Sequence, residues 1–477
     1  MAAKKKKTRG ADPNLLEQIN HPNAAGVDIA AEEMVAAVPR DRAVDYVRTF
    51  SSFTRDLHAL RDWFLECRIE TVAIESTGNY WVPLYQILEE AGLEVFLVNA
   101  RDVKGIGGRK TDVADAQWLQ QLHTAGLLKK SFRPVKEVAA LRYLMRHRGN
   151  LIRCSATLIQ QMQKTLTECN LQLHHVFSDL DGKSAQRIIE AILAGDRDPQ
   201  KLAQLRDARC RTPLAKVLKA LEGDYREEYL FVLAQCLEQW KQIQKTLIEL
   251  DAKIEASVAA IAIEPTAPPS AGPTEPGAPL AGPIEPSALS VEPPLKRRLH
   301  KNSPRFDIFA QAYRFYGVDL AQVPGVASTT LSVLMSELGT GEQIKAAFKS
   351  AKDFCSWLAL CPENKISGGK VLRAKTRRSA NRVAAALRQC SQSLSHSKSL
   401  LGDFVRRFKG RLGKAEGITA GAHKLARIIY SMLTTKQDYD EAKAFTLTPA
   451  KKARRVQQLL VQAARFGYDL VPASPAP

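Results

Sequence analysis

No run of apolar residues in the 477-residue chain approaches the roughly 18 that a membrane-crossing helix needs, and the opening stretch MAAKKKKTRG lacks the apolar core of a secretory leader. Membrane and secretion readings are set aside. The eight cysteines (Cys67, Cys154, Cys169, Cys210, Cys236, Cys355, Cys361 and Cys390) form no Cys-x-x-Cys pair and have no histidine at zinc spacing. That pattern excludes a zinc module and reads as reduced core thiols. Negative charge is scarce as well: 50 Asp and Glu stand against 69 Lys and Arg, a net charge of +19. The deficit is local. From Lys365 to Lys414 there are fourteen cations and one acid, Asp403. A solvated face ordinarily mixes signs, so this block predicts contact with a polyanion, as does the lysine run near the start.

Residues 24–135 alternate strand and helix signals. AAGVDIA (24–30) and EMVAAVP (33–39) read as a hairpin, and Leu57, Leu60, Trp63 and Phe64 fall at helical spacing. IETVAIES (69–76) and LEVFLVNA (93–100) read as buried strands around a helix at 84–92. An α/β layer is expected. Residues 137–177 and 224–259 read as long amphipathic helices. In the second, Leu230, Leu233, Leu237, Trp240, Ile243, Leu247, Leu250 and Ile254 recur three and four apart, as in an antiparallel coiled-coil arm with short helices (183–222) at its tip. Ten of the 24 prolines lie in 264–294, a composition that predicts a spacer. A helical region at about 305–440 follows, then a basic helix (449–465).

Four acids fall at the ends of expected elements: Asp28 and Glu75 on strands, Asp112 and Asp115 three apart on a helix face. Such acids ordinarily cap helices or make turns. Converging, they supply the oxygen donors that hold two Mg²⁺ ions against a phosphodiester. KGIGGRKT (104–111) resembles a phosphate loop, but Arg109 stands where that motif needs glycine, so a nucleoside-triphosphatase is rejected. VPGVASTTLSVLMSELG (323–339) has the form of a turn that offers backbone N–H groups to a phosphate, or of an ordinary helix start. Ser367 precedes Gly368 and Gly369, with Lys370, Arg373, Lys375, Arg377, Arg378 and Arg382 close behind. No histidine is near in sequence to activate the serine, so a protease-like triad is unsupported, and Ser-Gly-Gly alone is ordinarily a linker. Tyr80 and Trp81 offer stacking faces or core.

The ordered stretches GVDIA, AIESTGNYW, GRKTDVADAQWLQQLHTAGLL, VPGV, NKISGGKVLRAKTRRSANRVA and GITAGAHKLARIIYSML resemble the DEDD-type transposases of bacterial insertion sequences, also described as bridge-RNA-guided recombinases. The resemblance covers most of residues 22–440. It implies an α/β plus all-α chain: an RNase H/RuvC-like N-terminal domain, a long antiparallel coiled coil and a helical C-terminal transposase domain. The expected division is a basic arm (1–21), RuvC-like domain (22–135), coiled-coil arm (136–262), proline-rich spacer (263–304), serine-bearing domain (305–445), and basic helix and tail (446–477).

Carried over residue by residue, Asp28, Glu75, Asp112 and Asp115 are the metal-binding tetrad and Ser367 is the nucleophile. Arg109, Lys110 and the cations after Ser367 become nucleic-acid contacts. The implied cofactor is Mg²⁺, and the implied partners are double-stranded DNA, a structured guide RNA from the element and further copies of the chain in a dimer or tetramer. The implied location is the bacterial cytoplasm, at the nucleoid. Two other classes fit part of the pattern. A Mg²⁺-dependent junction nuclease would use water and leave Ser367 as a turn residue. A non-enzymatic nucleic-acid-binding protein would leave the four acids unexplained.

Overall fold

The computed structural model describes residues 18–76, 78–99, 112–261, 297, 299–445, 449–469 and 471. The lysine run, the loop with Arg109 and Lys110, and the proline-rich stretch lie outside the described residues. Two compact units divide the chain, Met1–Arg133 and Pro134–Pro477.

The first unit is a five-stranded mixed sheet. Its strands are β1 (Ala24–Ile29), β2 (Glu33–Ala37), β3 (Val47–Ser51), β4 (Thr71–Glu75) and β5 (Glu94–Val98), in the order β3-β2-β1-β4-β5. The β1–β2 and β2–β3 pairs are antiparallel, and β1–β4 and β4–β5 are parallel. Period-two alternation assigns the two faces. Ala25, Val27, Ile29, Val72 and Ile74 pack with Leu57, Leu60, Trp63 and Phe64 of helix α1 (Thr54–Glu66) and with Leu84 and Leu88 of α2 (Trp81–Glu90). On the other face Ala73 and Val98 meet Leu119 and Leu122 of α3 (Asp112–Thr124). This architecture is consistent with the RNase H/RuvC-like expectation. Strand β3 was absent from the expected order: VRTFS is half-exposed at a sheet edge and carries no apolar run.

His123, at the end of α3, is buried against Phe96, with ring centroids 4.6 Å apart. Thr71 donates its hydroxyl to the Glu94 carbonyl at 3.0 Å and also lies 2.9 Å from His123 Nε2. Its one proton being so used, Nε2–H is the donor in that contact. Burial, aided by neighbouring His21, pushes its pKa down to about 4. A depressed histidine pKa stabilises the fold above the unfolded value near 6.5, and that contribution is lost as pH falls towards 4. Between pH 7 and pH 5 the first unit should lose about 2 kcal/mol through this residue. Hydrogen exchange of the β4 amides should show that loss in the wild type, and a much flatter pH dependence in His123→Gln.

The second unit is almost wholly helical. Helices α4 (Lys136–Glu168) and α8 (Glu227–Ala260) lie side by side and antiparallel. Arg148, Ser155 and Gln161 on α4 bond in turn to Asp251, Gln244 and Cys236 on α8. Leu233, Leu237, Trp240, Leu247, Leu250 and Ile254 form the buried stripe of α8. Short helices α5 (Lys183–Leu193), α6 (Pro199–Gln204) and α7 (Leu214–Ala220) share a core with one end of this pair. Next come α9 (Ile308–Tyr316), α10 (Ser328–Leu338), α11 (Gly341–Ala347) and α12 (Ala351–Trp357). After a β-hairpin follow α13 (Arg382–Ser393), α14 (Leu400–Leu412), α15 (Lys414–Thr435), α16 (Glu441–Ala444) and α17 (Pro449–Arg465).

A buried carboxylate fixes the long pair to this bundle. Glu337 at the end of α10 takes Arg146 at 2.8 Å to both carboxylate oxygens and Arg142 at 3.2 Å. No helix among the described residues is long and apolar enough to cross a membrane. All eight cysteines are free thiols.

Candidate active site

Gly26 sets the geometry of the α3 face. A Cβ built there would stand 2.4 Å from the Gln120 nitrogen and 2.7 Å from the Ala116 carbonyl, so only glycine allows the helix to lie so close to β1. Gln120 Nε2 donates to the Ala24 carbonyl at 3.4 Å. Helix and strand run in opposite directions: residues 20 and 21 bond the Thr124 carbonyl, Ala24 takes the Gln120 side chain, and Gly26 lies against the backbone of Ala116 and Gln120. Two strand residues advance about 6.7 Å and four helix residues about 6 Å, so the next step along β1 carries Asp28 towards the first turn of α3, which holds Asp112 and Asp115.

Asp28 shares the face of Ala24 and Gly26 by alternation. On the adjoining parallel strand the register Val27↔Ile74 continues to Asp28 and Glu75 at the carboxyl ends of β1 and β4. Glu75 alternates with Ala73, which faces α3. Neighbouring strands are spaced about 4.8 Å apart, so two half-buried carboxylates sit on one sheet face beneath α3. Asp115, also half-buried, directly precedes Ala116, which packs on Val35 and Ala37. The Asp112 side chain lies outside the described residues, and among the described residues no three acids, histidines or cysteines stand close enough to hold a metal ion. The donors do match one: they are hard carboxylate oxygens, the set that suits Mg²⁺ rather than a softer metal.

Ser367 lies in the second unit. It ends β6 (Pro362–Ser367), whose antiparallel partner is β7 (Lys370–Thr376). Gly368 and Gly369, at φ +55° and +75°, make the two-residue turn. Positive φ at both positions is the primed turn that matches strand twist. The helical region expected at about 305–440 thus also holds one β-hairpin. Ser-Gly-Gly-Lys between two short runs is itself a hairpin signal, masked in the sequence by the density of lysine and arginine.

The cations expected to meet nucleic acid divide. Lys370, Lys375 and Arg378 are exposed. Arg377 is exposed and donates to the Ser356 carbonyl at 2.7 Å. Arg382 stands 3.9 Å from Glu337, so part of its charge is answered within the protein. The Arg373 side chain lies outside the described residues, as do Arg109 and Lys110 entirely.

Two lesser expectations also resolve. Trp81 is half-buried, bonds the Gly78 carbonyl at 3.1 Å and lies under Arg133, which removes it as a free stacking face; Tyr80 stays 50% exposed. The turn before α10 has Gly325 at φ +88° packed near the Cys390 carbonyl. The first helical residue, Ser328, is buried with its hydroxyl 2.5 Å from that of Ser303.

A transposase family profile of the DEDD, IS110 type matches residues 25–171, and the profile of the Transposase IS116/IS110/IS902 family matches residues 319–406. The chain belongs to the DEDD-type insertion-sequence transposase family. Comparison with curated proteins returns no match. As a transposase the protein acts on DNA, cleaving and transferring strands. The first profile contains all four acids, and the second contains Ser367 with the cations that follow it.

Proposed function

We propose that this transposase excises and inserts an insertion sequence by metal-assisted attack of the Ser367 hydroxyl on DNA phosphodiesters. Sequence choice would pass to a structured RNA from the element, and the acid face of one copy would meet the serine of another in an oligomer. The observation that carries the reading is the placement of Asp28 beside Glu75 on the α3 face, within the segment matched by the DEDD profile.

Asp28, Glu75, Asp112 and Asp115 would hold divalent metal. When bound, the metal supplies Lewis-acid stabilisation of charge developing on the phosphate. Ser367 forms an Oγ–P bond as the bond from phosphorus to the departing strand's oxygen breaks; the hydroxyl proton ends on that oxygen. A strand hydroxyl then attacks the phosphoserine, joining DNA and restoring serine. Lys370 and Arg378 hold the backbone phosphates.

The deciding test incubates the full chain with Mg²⁺, RNA from its element and labelled donor and target DNA. Label should remain on the protein after denaturation in the wild type and vanish from it in Ser367→Ala. Cut DNA with no protein-bound label in either would assign the attack to water and reduce Ser367 to a turn residue.

A further inference from the structure

The tip of the hairpin carries three large apolar side chains with no cover from a third strand. Ile366 is 61% exposed, Val371 57% and Leu372 70%, and the two strands pair only with each other. An isolated two-stranded ribbon is marginal in water, and one that also exposes contiguous aliphatic side chains calls for a partner.

The register explains how the tip is arranged. Lys365 pairs with Arg373 and Ile366 with Val371, so Leu372 is the extra residue of a β-bulge. The bulge shifts the alternation. Positions 366 and 371 fall on one side of the ribbon, and positions 367 and 370 on the other. The serine and Lys370 thus share a side, with an aliphatic pair behind them and Leu372 at the kink.

Charge selects the occupant. Lys370, Lys375, Arg377 and Arg378 are exposed along or just beyond the ribbon, and no acid lies between Glu363 and Asp403. A second ribbon of the same chain would meet like charge at each of these positions. A polyanion would neutralise them. A two-stranded ribbon fits a DNA groove, and apolar side chains beside phosphate-binding cations act as wedges that part a base step.

We infer that the β6–β7 hairpin is a DNA wedge, in which Ile366, Val371 and Leu372 enter the stack of a duplex while Lys370 and its neighbours grip the backbone. The step between adjacent strand residues, about 3.3 Å, nearly equals the base step of about 3.4 Å. Ile366 in the stack therefore leaves Ser367 about one base step along the strand, on the ribbon's other side with Lys370. The inference uses only the fact that the protein acts on DNA, and stands or falls apart from serine attack.

The test measures anisotropy of the full chain with a short labelled duplex, perfect or carrying one mismatched step, in the presence of chelator. A mismatch lowers the cost of unstacking, so the wild type should bind the mismatched duplex about tenfold more tightly. Ile366→Thr/Val371→Thr/Leu372→Thr keeps strand-forming side chains and should bring that ratio close to 1, with perfect-duplex affinity within about twofold. Leu372→Thr alone, at the unpaired bulge position, should lower the ratio by about half without touching ribbon pairing. Lys370→Gln should weaken both duplexes equally. A wild type with no preference for the mismatch overturns the wedge, as does a triple variant that retains it. Loss of self-association in the triple variant, with the ratio intact, would assign the face to a second copy instead.

Discussion

Asp28→Asn should slow DNA strand cleavage by about a thousandfold or more, a loss near 4 kcal/mol of transition-state stabilisation, while the protein stays folded. The substitution keeps the side chain's size, exchanges one acceptor oxygen for an amide donor and removes one negative charge. Asp28 is half-buried at the carboxyl end of β1, whereas the packing of that strand rests on Ala25, Val27 and Ile29 below the other face. Thermal unfolding should therefore change little, and a collapse in cleavage then reports the site rather than the fold. Glu75→Gln, on the neighbouring strand end, should behave alike. Chelation of divalent metal should reproduce the loss of cleavage but spare DNA binding, because the cations that neutralise phosphate need no metal. Near-normal cleavage by Asp28→Asn would remove the carboxylate face from the chemistry.

What the sequence revealed of this face followed from periodicity. The apolar runs 24–30, 69–76 and 93–100 are long enough, and sufficiently rich in β-branched residues, to announce strands; all three are β1, β4 and β5. The helix through Leu57, Leu60, Trp63 and Phe64 was equally plain, and those four residues are all buried. Long-range pairing was not legible. That Gly26 admits α3 against β1, and that Asp28 and Glu75 neighbour each other in register, depends on contacts between residues tens of positions apart. Charge density hid the rest. Within Lys365–Lys414 the block of cations masks the alternation of the Gly-Gly hairpin, and its bulge is set by cross-strand register that composition does not carry. The same density overstated Arg382, because the carboxylate beside it, Glu337, is distant in sequence and reaches it only through the packing of α10 against α13.

Glu337 and Asp251 show the other thing that composition cannot reveal: two acids in a chain short of them are spent inside the fold. Arg148 and Asp251, both buried, form a two-pronged pair at 2.6 and 3.2 Å. Arg148 also donates to the carbonyls of Asn302 and Ser303, each at 2.9 Å, and Asp251 accepts the Arg305 backbone N–H at 3.0 Å. One ion pair thus binds α4 to α8 and anchors residues 302–305 on them both.

Asp251→Ala should destabilise the second unit by about 3–5 kcal/mol, because it strands a buried guanidinium and frees a backbone donor. Arg148→Met should cost a similar amount by leaving the carboxylate unpaired. The double variant Arg148→Met/Asp251→Leu should recover much of either loss, since neither charge remains; it should stay short of wild type because the carbonyls of residues 302 and 303 lose their donors. Urea unfolding of all four proteins, followed by a probe in the second unit, would measure the coupling directly. Additive losses in the double variant would mean that water already serves these groups, and that the anchoring of 302–305 rests on the apolar packing of Phe306, Ile308 and Phe309 instead.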